Sequence, residues 1–300
     1  MLDLPPAGRL TLLVYVRLLQ DARNARPPPA TSHQELSTSD LTVMLSVPED
    51  LAVEDWRRAI SLGRLANSSS QSRTGEAMRD PAFQTWFGSA QSRVLAINGM
   101  ERRVGGFSAM SHLVALMRDT LEGDQSVIPL TYFCGDHTGP GDSVVGVSGA
   151  MRTICLQLIM FLPEGQGLRY ENVSLINGIH SHGIESLCEL FRRLLAALAA
   201  STSGKVVFCL IDDVSWLEDY ASDLLFVMTQ LRAITNELLH AGQPVLLKTL
   251  FTSAMYCEYF EQVLDHQDIV TLRSEVYNAG ARPGIRSMDF TMVDDPYDVF

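Results

Sequence analysis

Residues 206–211 read Val-Val-Phe-Cys-Leu-Ile, an apolar run with no polar interruption, and Asp212 and Asp213 follow at once. A strand with one wet face alternates apolar and polar side chains. A run without alternation predicts a strand covered on both faces, as in a parallel sheet between helices. Further strand-like runs lie at 94–97, 127–133, 245–252 and 269–272. Stretches with helical spacing separate them, at 109–121, 149–162, 184–200 and 220–239. Parallel neighbours need a crossover, commonly a helix. The order therefore predicts an α/β fold of three layers around a mostly parallel sheet of about five strands.

With 300 residues, 46% of them hydrophobic, the chain is long enough for one such core. The strand-helix alternation occupies 76–275. Residues 1–75 read as a partly disordered N-terminal extension with helical pieces and a linker, and 276–300 as a C-terminal tail. Within the extension, 10–19 has helical character and 27–29 is three prolines, which stop it. Residues 31–40 are polar and read as irregular. An amphipathic helix is expected over 48–65, and the serine-rich stretch 67–75 reads as a linker. Beyond it, Phe83, Trp86 and Phe87 form an aromatic helical face. The acidic tail 294–300 reads as solvated or as a docking peptide.

Net charge is −12, from 35 acidic against 23 basic residues. Such a surface repels nucleic-acid phosphates and an anionic membrane leaflet, so neither is expected as a partner. The apolar run 10–16 is too short to span a bilayer and no clean cleavage site follows it. Cys134, Cys155, Cys188, Cys209 and Cys257 are odd in number and widely spaced, with no C-x-x-C pair. They read as core residues of a cytoplasmic protein. Protein partners, including a second copy of the chain, are the expected kind.

In a parallel sheet, ligands bind beyond the carboxyl ends of the strands. An apolar strand ending in Asp212-Asp213 is the Walker B arrangement: Asp212 on the magnesium side, Asp213 the base that orients or deprotonates the attacking water. The loop after the first strand runs Gly99-Met100-Glu101-Arg102-Arg103-Val104-Gly105-Gly106-Phe107-Ser108. A working phosphate loop needs G-x-x-x-x-G-K-[ST], glycines to curl backbone amides around phosphate and a lysine to neutralise it. Gly99 starts in place. Gly105 and Gly106 arrive one residue late, and Phe107 stands where lysine is required. Ser108 is left either a magnesium hydroxyl or a cap for the following helix. Thr252, at the tip of the 245–252 strand, suits a position that contacts the γ-phosphate or the water, and equally reads, with Ser253, as a cap residue.

The succession Trp86-Phe87, Val94-Leu95-Ala96-Ile97-Asn98-Gly99, Tyr132-Phe133-Cys134-Gly135-Asp136-His137-Thr138 and Gly149-Ala150-Met151-Arg152-Thr153-Ile154-Cys155-Leu156-Gln157-Leu158 resembles the NACHT-like, nephrocystin-3-type P-loop domains of filamentous fungi. Those belong to the signal-transducing STAND ATPases. Phe208–Asp213 with Val214-Ser215-Trp216, and Leu250-Phe251-Thr252-Ser253, fit the later strands of the same pattern. The resemblance covers residues 80–272. It implies ATP or GTP with magnesium, and a switch coupled to oligomerisation. It also implies nucleotide contacts at Gly99, Gly105, Gly106, Ser108, Asp212 and Thr252, with magnesium on Asp212 and Ser108 and Asp213 catalytic if the domain is active. The chain departs from the family in lacking the loop lysine.

Two functions stay open on this reading. One is a pseudo-NTPase acting as a regulatory or scaffold domain; the other is a weak NTPase with an unorthodox loop. An esterase reading, from Gly106-Phe107-Ser108-Ala109-Met110 with Asp212 and His266, fails because Ser108 lies ten residues beyond Asn98 and Met110 replaces the second glycine. His180 and His182 form an H-x-H pair without a third ligand and read as loop residues.

Overall fold

The computed structural model describes residues 34–101, 103, 106–163, 166–170, 173–202, 204–242 and 244–273. In chain order these form β1 (Gln34–Leu36), α1 (Thr38–Leu45), α2 (Leu51–Leu65), α3 (Ser68–Arg79), α4 (Pro81–Gly88), β2 (Arg93–Asn98), α5 (Ala109–Leu121) and β3 (Val127–Phe133). There follow α6 (Gly146–Ile159), β4 (Leu168–Tyr170), α7 (Val173–His180), α8 (Ile184–Ser201), β5 (Lys205–Asp212), α9 (Ala221–Ala241), β6 (Val245–Ser253), α10 (Glu258–Val263) and β7 (Ile269–Thr271). Short 3-10 turns occupy Cys134–Asp136, Val214–Tyr220 and His266–Asp268.

The main sheet has five strands, all parallel, in the order β3-β5-β6-β2-β7. Side chains on a strand point alternately to the two faces, and the core divides accordingly. Val207, Cys209 and Ile211 of β5 enter one apolar layer with α1, α6, α8, α9 and α10. Phe208 and Leu210 enter the other, with α2, α3, α4 and α5. The step from β2 to β3 crosses the sheet in one direction, and every later step crosses in the other. Right-handed crossovers then put α5 on the face opposite α6–α9. All five cysteines are free and buried. No helix among the described residues is long and apolar enough to cross a membrane.

The expected strands and the four crossover helices are present within a few residues of their expected ends. The N-terminal part is where the structure differs. The segment read as a linker, 67–75, lies inside helix α3. Asn67 caps it, its Oδ1 accepting from Ser70 N at 2.9 Å. Its interior anchors are polar: Arg73 Nη1 donates to Gly99 O at 2.8 Å and Thr74 Oγ1 to Ala109 O at 2.9 Å. A helix held by such contacts has no apolar stripe to read. From Gln34 on, the stretch read as irregular is also ordered into elements. β1 pairs antiparallel with β4, and Ser37 and Asp40 close a capping box on α1. Leu41, Leu45, Ala59, Ile60 and Ala77 are buried in the same two layers as the sheet, so the core begins well before residue 76. The helix expected at 10–19 and the tail at 276–300 lie outside the described residues.

Trp86 holds one layer together. It is 1% exposed, its indole Nε1 donates to Arg93 O at 3.1 Å, and its ring meets Phe208 edge-on at 5.8 Å. Trp86→Ala is expected to lose about 3–5 kcal/mol in urea denaturation. A loss below about 1 kcal/mol would mean that the layer closes around the gap.

Candidate functional site

The register aligns the carboxyl ends of the strands. Asn98 sits beside Ser253 and Thr271, and Phe133 beside Asp212. The direction of winding reverses between the neighbours β2 and β6, since α5 leaves one face and α9 covers the other. Beyond that junction lies the crevice in which an open parallel sheet presents ligands.

The loop after β2 runs into this crevice, and among its described amides those of Gly99, Glu101 and Ser108 are used within the chain. Gly99 N donates to Ser253 O at 2.7 Å and Glu101 N to Ala254 O at 2.9 Å, so the loop first continues alongside β6. Met100 between them takes a left-handed φ of 54°. This turns Glu101 inward, where it is 4% exposed. Its Oε1 then accepts from Ala109 N, the first amide of α5, at 2.6 Å. The first turn of a helix presents unpaired N–H groups and a partial positive charge that favour an anion. Here the anion is the chain's own carboxylate. Ser108 completes the cap: its Oγ accepts from Ser111 N at 3.1 Å while Ser108 N donates back to Ser111 Oγ at 3.2 Å.

Gly106 and Phe107 of the loop pack down. Gly106 has φ +83°, and its carbonyl lies against Gly135, where a Cβ would stand 2.3 Å from that oxygen. Phe107, at the lysine position, packs against the apolar layer of α5.

The two acids after β5 are satisfied in different ways. Asp213 takes φ 47° and receives Arg103 bidentately, Nε to Oδ2 at 2.7 Å and Nη2 to Oδ1 at 3.1 Å. Ala254 N adds a bond of 3.0 Å to Oδ1, and Ser215 Oγ donates there too. The guanidinium lies 4.5 Å over the Trp216 ring. Asp212, 2% exposed, accepts from Thr252 Oγ1 at 2.7 Å, and that hydroxyl in turn accepts from Asp213 N at 3.0 Å. Burial first, then the adjacent Asp213 charge, push the Asp212 carboxyl up to about 8. One acid keeps a cation and the other keeps a proton.

The fold thus brings together Gly99, Gly106, Ser108, Asp212, Asp213 and Thr252 at the strand ends. Gly105 lies outside the described residues. Ser108 Oγ is engaged as a cap, so of the two roles open to it the cap is the one seen. His180 ends α7, and His182 reaches Met44 O at 3.1 Å. Among the described residues no cluster of three or more His, Cys, Asp or Glu side chains could hold a metal ion. The chain's two lysines are elsewhere: Lys205 opens β5 at the other end of the sheet, and Lys248 donates to Trp86 O at 2.7 Å. Glu101 and Trp216 were not singled out from the sequence as site residues. A lone acid beside two arginines reads as a solvated charge, and only the reversed φ at Met100 turns it inward.

Compared with protein-family models and with curated proteins, the chain matches neither.

Between its ordinary value of 3.8 and about 8, Asp212 holds a proton in the folded chain that the unfolded chain releases. The folded state then binds more protons, so this group makes stability fall as pH rises through that window. Asp212→Asn is expected to flatten the loss of urea midpoint between about pH 5 and about pH 8. Parallel curves for the two proteins would refute the assignment.

Proposed function

We propose that this chain is a non-catalytic relative of the P-loop NTPases, a regulatory or scaffold domain of NACHT-like, STAND type whose phosphate position is filled by its own loop. The observation that carries this reading is the Glu101 carboxylate on the first amide of α5. A triphosphate would need that place, and would have to expel a buried anion to enter. Three further features agree. Phe107 takes the position of the lysine that neutralises the β- and γ-phosphates. Arg103 occupies Asp213, the residue that would otherwise position water. Asp212 holds a proton, whereas a magnesium ligand must be ionised.

The weak-NTPase reading draws on the proximity of Asp212, Thr252 and Asp213. It requires Arg103 to leave, Asp212 to lose its proton and Glu101 to swing out. A regulatory domain works through protein contacts. Val145, Tyr220, Met255 and Tyr256, each between 38% and 47% exposed, come from three loops at the carboxyl side of the sheet. They offer an apolar rim for a protein partner or a second copy of the chain. The acidic composition suits a cytoplasmic setting.

Thermal-shift and phosphate-release assays with magnesium ATP and GTP test the proposal. The purified chain is expected to release no phosphate above background, and to shift its midpoint by less than about 1 °C at millimolar nucleotide. Turnover on the scale of about 1 per second would overturn it. A second measurement concerns the latch itself. Glu101→Ala is expected to lose about 1–2 kcal/mol through the uncapped helix end. Arg103→Ala should cost more, about 3–5 kcal/mol, because it strands a buried carboxylate. The reverse ranking in urea denaturation would argue against the pairing described.

A further inference from the structure

A second cluster of titratable groups lies away from the crevice. His137, 5% exposed, follows the turn after β3. Its Nε2 is 2.9 Å from Asp55 Oδ2 on α2, and its Nδ1 is 2.8 Å from Asp142 Oδ2 in the loop before α6. A neutral imidazole has one N–H and one lone pair. At these distances the lone pair would face a carboxylate oxygen with no proton between them. Only the imidazolium can donate to both.

Several charged or titratable groups face this ring. Asp55 and Arg58 come from α2, and Arg58 pairs with Asp136 of the turn. Asp142 comes from the loop, with Arg152 of α6 close enough to stabilise its charge. Tyr132 of β3 stacks on the ring at 5.0 Å, and Arg118 of α5 lies within electrostatic reach of Asp55. Burial opposes the ring's charge, but Asp55 and Asp142 outweigh it and raise the pKa above its ordinary value. Two residues earlier, Gly135 supports the Gly106 carbonyl of the site loop.

We propose that His137 is a pH-sensitive clasp that fastens α2 to the segment between β3 and α6, beside the site loop, and that loss of its proton releases α2. With a folded pKa above the unfolded value, the clasp is fully present below about 6.5 and is lost as pH rises through the folded value. The acid side belongs to a different group. His112 of α5 lies against Gly63 of α2, and burial lowers its pKa. Its contribution is therefore lost as pH falls. The docking of α2 is strongest between the two.

Hydrogen exchange read by mass spectrometry on the full chain, corrected for intrinsic rates, tests this between about pH 6 and about pH 9. Protection of peptides within Leu51–Leu65 is expected to fall about tenfold toward alkaline pH. A β5 peptide in the same samples reports global loosening and should fall less. In His137→Gln the α2 peptides should fall no more than the β5 peptide across the range. Flat wild-type protection, or the same slope in His137→Gln, would overturn the proposal. If that variant does not fold, Asp142→Asn should keep the clasp to Asp55 but move the wild-type midpoint to lower pH. An unmoved midpoint would equally overturn it.

Discussion

Two carboxylates placed side by side in a dry interior cannot both carry an uncompensated charge. Asp212 closes the buried end of β5 and Asp213 comes next, and the structure around them follows from that constraint. Asp213 draws Arg103 out of the loop, and Arg103 settles on Trp216. Asp212 keeps a proton beside Thr252. Arg103 is turned toward β5, and Gly99 and Glu101 are hydrogen-bonded along β6. Glu101 is then delivered to the mouth of α5.

The arrangement is a closed circuit of charge: helix end to Glu101, Arg103 to Asp213, proton on Asp212. In a phosphate-binding loop the same places would hold ligand, lysine and metal. Here each is supplied from the chain. On the proposed reading that substitution goes with the absence of a loop lysine, since Phe107 packs against the apolar layer of α5.

The sheet was legible because its signal is a matter of apolar patterning. The run at 206–211 is buried on both faces, and residues 127–133 form a strand with the same limits as expected. The pieces that were missed are those held by polar contacts or by distant partners. α3 depends on Arg73 reaching Gly99 and Thr74 reaching Ala109. β1 has no partner nearer than β4. At the site, the residue types at the strand ends were legible, since Asp212, Thr252 and Ser108 follow from position alone. Glu101 was not, because its role depends on one reversed backbone angle. The clasp at His137 was hidden for a similar reason, Asp55 lying on a helix that the sequence assigned to an extension.

The strand order has one more consequence. β2 is the first strand of the main sheet to be synthesised, yet its neighbours are β6 and β7, the last two. Emerging from the ribosome, it has no hydrogen-bonding partner until β6 (Val245–Ser253) has been made, and Val94 and Ala96, which face the layer of the later helices, stay incompletely covered in the meantime. Contacts so far apart in the chain make for slow closure and long exposure of a sticky edge. The vulnerable period of this protein is therefore its birth, when β2 waits for the last two strands of its sheet.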